Sequence, residues 1–127
     1  MKPTLLCVAL FLPAAAEALP DAAARDELAS ELAVCASYYS VGAVLSENSG
    51  HADEATKLRP TIEKALDLSS KLSSQKKAQA RYELAMQSHL KTFKEEGFAR
   101  LILQHSEPCK VALEHPDERL QYWLNRK

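Results

Sequence analysis

The chain has little glycine, three residues in 127, and few aromatics, 6% of the total. No glycine-rich segment resembles a phosphate-cradling loop, and neither Gly-x-Ser-x-Gly nor His-Glu-x-x-His occurs. Neither sign of charge is in excess: 16 Lys and Arg stand against 17 Asp and Glu, a formal net charge of −1. A near-neutral surface lacks the basic face that binding to nucleic acid requires. It equally lacks the polybasic patch that would draw it to an anionic membrane. Long charge runs and low-complexity tracts are missing, so a folded domain is expected and disorder is not. No run of alternating β-branched residues is long enough for a strand.

What the chain does contain begins at its amino terminus. Met1-Lys2 is a minimal basic segment, residues 5–16 are apolar apart from Pro13, and Ala16-Glu17-Ala18 has the small-x-small pattern of a signal peptidase site. The pattern predicts a signal peptide over residues 1–18 and a mature domain over 19–127. An apolar run of about a dozen residues is short of the roughly 20 a helix needs to span a bilayer. Thr4 and the early Cys7 do not fit a lipoprotein box. No later segment reads as long and apolar enough to cross a membrane, so no stable insertion is expected after cleavage. The compartment expected is a bacterial periplasm. Removing residues 1–18 takes away Lys2 and Glu17, so the net charge stays at −1.

Cleavage at that site also removes Cys7 and leaves Cys35 and Cys109, an even count in an exported chain, which predicts a disulfide. Without a Cys-x-x-Cys spacing there is no thioredoxin-like or covalent haem motif.

The mature chain reads as all-α, a small antiparallel helical bundle of three long helices and short C-terminal ones. Asp21 is expected to cap the first helix, which Asn48-Ser49-Gly50 stops. Leu28, Leu32, Cys35, Tyr39 and Ala43 form one apolar face of it, and Val34, Tyr38, Val41 and Leu45 a second. Such all-round apolarity suits a central helix. The second helix carries Ala55, Leu58, Ile62, Ala65, Ser69 and Leu72 in register, with Pro60 producing either a kink or a break. Ser73 or Ser74 caps the third, whose stripe runs through Ala78, Tyr82, Ala85, Met86, His89 and Phe93. Gly97 ends or bends it. Ser106 is expected to start a fresh turn ahead of Pro108, and Asp117 to cap a last helix bearing Leu120, Tyr122, Trp123 and Leu124.

Met86 and His89 share a helical face, and a soft thioether with an imidazole suits copper. Met is also an ordinary gap-filling core residue, so the pair is only a weak metal candidate and no cofactor is expected. His105 and His115 flank Cys109, which a disulfide would remove as a ligand. Glu31, Glu63, Glu83, Glu95 and Glu96 fall on positions read as solvent-facing, and nothing places a serine beside a base. No enzyme is expected. The aromatic pairs Tyr38-Tyr39 and Tyr122-Trp123 are the candidate protein contacts, because neighbours on a helix point about 100° apart and one of each pair could be exposed.

Through Cys35-Ala36-Ser37-Tyr38-Tyr39, Glu107-Pro108-Cys109 and Asp117-Glu118-Arg119-Leu120-Gln121-Tyr122-Trp123, the chain resembles a diffuse group of small proteobacterial exported proteins. The resemblance implies a periplasmic helical protein with Cys35 paired to Cys109, and implies no mechanism. Taken together, these features lead to the expectation of a non-enzymatic interaction module with an unidentified protein partner. A carrier of a small ligand or metal and an acid-stress chaperone are the alternatives.

Overall fold

The computed structural model describes residues 21–126. The signal peptide predicted over residues 1–18 lies outside them. The described chain is all-helical: α1 (Asp21–Asn48), α2 (Ala52–Leu72), α3 (Gln75–Glu96), α4 (Phe98–Glu114) and α5 (Pro116–Leu124). One disulfide joins Cys35 in α1 to Cys109 in α4, with the Cα atoms 5.5 Å apart.

The joints follow from local chemistry. Gly50 and Gly97 adopt φ of 84° and 88°, a left-handed conformation that costs residues with a Cβ more than it costs glycine. Gly97 alone separates α3 from α4. The Ser74 side chain accepts a hydrogen bond from the Lys77 amide and caps α3. At the last joint, His115 precedes a proline and is thereby biased away from helical backbone, while Pro116 occupies the first position of α5, where its missing N–H matters least.

Three expectations need correction. Asp21 is itself helical, and Asp117 lies inside the first turn of α5 rather than capping it. The Asp117 charge still suits the positive end of the helix dipole. Of the two outcomes open at Pro60, the break does not occur: α2 runs unbroken through it. Nor does a new helix start at Ser106: α4 is one helix of 17 residues with Pro108 in its interior. Proline cannot donate to the carbonyl four residues back, but Leu101 on one side of it and Cys109, Ala112 and Leu113 on the other are buried, and packing holds both flanks in line. Finally, α1 is long and apolar enough to cross a membrane by length and composition, contrary to the sequence reading.

That apolarity is matched by burial. α1 packs against each of the other four helices, and eleven of its residues are buried. Two clusters share it. Leu28, Leu32 and Ala36 pack with Ala65 of α2 and with Ala112 and Leu113 of α4. Cys35, Tyr38 and Val41 pack with Leu101 and Cys109, and with Met86, Phe93 and Phe98 at the margin. Small residues let α2 approach α1 closely, and the buried Ser69 hydroxyl donates to the Ala29 carbonyl at 2.7 Å.

Candidate functional site

About 100° around α1 from this close contact, α3 and α4 leave a groove of about 650 Å³ with α1 as its floor. Ser30 and Val34 line it from α1; Arg81, Leu84, Ala85, Ser88, His89 and Thr92 from α3; Gln104 and His105 from α4. The α3 residues recur at three- and four-residue spacing, so a single helical face forms one wall.

At its base two imidazoles meet. The rings of His89 and His105 lie 4.7 Å apart between centroids, and the Tyr38 ring lies 5.7 Å from His105. His89 is only 5% exposed, and its Nδ1 shares a 2.9 Å hydrogen bond with the Ser37 hydroxyl. Burial, reinforced by the neighbouring His105, lowers the His89 pKa to about 4. Burial also lowers that of His105, against a smaller opposing pull from Glu31. Both rings are therefore neutral at pH 7, each with one nitrogen donating and one accepting.

A serine does stand beside a base, contrary to the sequence reading, because the fold brings Ser37 and His89 together across 52 positions. The spacing suits a nucleophile and its base. Ser37, however, is 0% exposed beneath the ring and is not presented to a substrate. The contact fixes the orientation of His89.

A second hollow adjoins the groove through Ser30, Val34, Gln104 and His105, which line both. It reaches the disulfide and the end of α5. There Glu31, read from the sequence as solvent-facing, is largely buried and takes three hydrogen bonds. Arg119 donates through Nε at 2.8 Å and Nη2 at 2.7 Å, and Trp123 through Nε1 at 3.0 Å. This fork ties α5 to α1 and holds the Arg119 guanidinium charged. At the far end of the groove, Arg81 donates to Asp26 at 2.8 Å and ties α3 to α1. Neither contact has a local sequence signal, since the partners stand 88 and 55 positions apart.

The proposed contact aromatics are scattered. Tyr38 is 8% exposed and stacks on Phe98, and Tyr39 is half-buried between the two clusters. Trp123 is half-buried on Glu31. Tyr122 alone of the four is exposed, edge-on to Trp123, with the Arg119 guanidinium 3.9 Å from its ring centroid. Met86 turns into the Cys35–Tyr38 cluster, and His89 finds His105 instead of Met86. Among the described residues no three His, Cys, Asp or Glu side chains form a metal-holding group.

The fold and groove thus define an all-helical, disulfide-linked protein with an internal imidazole pair. A scan against protein-family models and searches of the curated proteins and the solved structures find no match to the chain.

Proposed function

We propose that this is an exported, non-enzymatic binding protein of a bacterial periplasm, and that the groove over α1 takes a small organic ligand. On this reading the chain is one of the small exported proteins it resembles, and its short joints make successive helices antiparallel neighbours in a bundle. The observation that carries the proposal is the groove: its volume lies within the roughly 300–1,000 Å³ typical of ligand sites. Its lining combines apolar Val34, Leu84 and Ala85 with hydrogen-bonding Ser88, Thr92, Gln104 and the two imidazoles. That mixture suits a molecule with an apolar body and a polar head. Native mass spectrometry of protein taken from the periplasm tests it. The wild type should carry an adduct that is lost on denaturation, and Ser88→Trp, which fills the groove from an exposed position, should lack it. An absent adduct, or one indifferent to the substitution, overturns the reading.

Exposed Tyr122 favours a second reading, a protein contact at the α5 end. Held between Trp123 and the guanidinia of Arg119 and Arg126, it is an ordered aromatic anchor of the kind that dominates interfaces. Crosslinking in a periplasmic extract should then give a product that Tyr122→Ala removes, and its persistence in that variant would count against this contact.

A further inference from the structure

We infer that the groove is proton-gated: the contact between His89 of α3 and His105 of α4 closes its base at neutral pH, and protonation of the two rings parts α3 from α4. The inference concerns the groove of the proposed ligand site and rests on that reading for its purpose, but its test needs no ligand.

Geometry makes the contact depend on charge. Two neutral imidazoles with centroids 4.7 Å apart pack favourably, whereas two imidazolium ions at that distance repel, and the buried His89 has little water around it to screen the repulsion. The surroundings offer little compensation. From α1 the Ser37 hydroxyl faces His89 and the Tyr38 ring faces His105. The α1 carboxylates on the His105 side are Glu27 and Glu31, and Glu31 is already committed to Arg119 and Trp123. From α3 the charged group on the groove wall is Arg81, and from α5 it is Arg119, both cations. α2 contributes no lining residue to either hollow. α3 and α4 are joined covalently only through Gly97, and the disulfide holds α4, not α3, to α1. The pair can therefore separate while α4 stays stapled.

The direction follows from proton linkage. His89 titrates at about 4 in the folded protein and near 6.5 when unfolded or released. Its contribution to the closed state is fully present above pH 6.5, falls away as the pH drops towards 4, and changes no further below that. The gap corresponds to a shift on the order of a hundredfold in the closed-to-open equilibrium.

The test is a titration of the ligand-free, disulfide-intact protein from pH 7.5 to 3.5. It follows the imidazole proton resonances, helix content by circular dichroism and binding of a hydrophobic dye. The expected result is an imidazole resonance with a midpoint well below 6.5, dye fluorescence rising several-fold over the same range, and helix content held. His89→Asn together with His105→Asn should abolish the rise. Imidazoles that all titrate near 6.5, or a dye response identical in the double variant, would overturn the gate. Should the double variant fail to fold, the wild-type resonances alone decide. A protein that gates but carries no adduct in native mass spectrometry keeps the gate and loses the ligand reading. One that carries an adduct but does not gate does the reverse.

Discussion

The two sides of α1 differ in what they ask of its residues. Towards α2 it presents Ala29, Ala33 and Ala36, which with Ala65 and Ser69 are fully buried in a close, apolar contact. Towards α3 and α4 it presents Ser30, Val34 and Ser37, and the space beyond them is an open groove with two imidazoles at its base. One helix thus serves as the wall of a core and the floor of a site. Small residues do opposite jobs on its two sides: alanine lets a neighbour approach, whereas serine on the other side supplies a hydrogen bond to a histidine.

The largest test of that contrast is the staple, which joins α1 to α4, a wall of the groove. The disulfide closes a separation of 74 residues and is worth roughly 4 kcal/mol in the chain-entropy model. Replacing both cysteines by serine should lower the stability measured by chemical denaturation by about that amount. Hydrogen exchange should then show α4 and α5 losing protection before α1 and α2. Uniform loss across all five helices would mean that the two sides do not differ in this respect.

Added bulk gives the sharpest comparison. Ala65→Leu forces side chains into the α1–α2 contact and should cost about 2–3 kcal/mol. Ser88→Leu places similar bulk over the groove and should stay within about 0.5 kcal/mol of the wild type. Equal costs in parallel denaturation curves would show that the groove side is packed as tightly as the other.

Smaller effects are expected where polar groups join the elements. Glu31→Gln leaves the half-buried Arg119 without its anionic partner and should cost about 2 kcal/mol, with Trp123 fluorescence changing as the fork is lost. On the close side, Ser69→Ala removes one helix-to-helix hydrogen bond and should cost about 1 kcal/mol, read as a shift of the thermal midpoint. If Ser69→Ala cost more than Glu31→Gln, the α1–α2 contact would depend on its hydrogen bond and not chiefly on its apolar fit.

Much of the fold was legible in the residues. The registers of Ala55 to Leu72 and of Ala78 to Phe93 correspond to α2 and α3, and Asn48-Ser49-Gly50, Ser74, Gly97 and His115-Pro116 mark their joints. Proline misled at Pro108, because a penalty for helical backbone is local while the packing that outweighs it there is not. The site was less legible. His89 was visible as an inward residue, but its partners Ser37 and His105 stand 52 and 16 positions away in sequence, and no periodicity pairs residues across helices. Glu31 read as exposed because acidic residues usually are, and only the arrival of α5 with Arg119 and Trp123 reverses that.

By itself, then, the sequence determined helices, most of the joints between them, the apolar character of α1 and the pairing of Cys35 with Cys109. These rest on capping, backbone preference, 3.6-residue periodicity and parity, which are properties of neighbours along a chain. Only the tertiary structure decided that two histidines share a base of the groove, and that a buried carboxylate anchors the last helix. Those are meetings between distant residues, and they depend on how whole helical faces fit together, which short-range pattern does not encode.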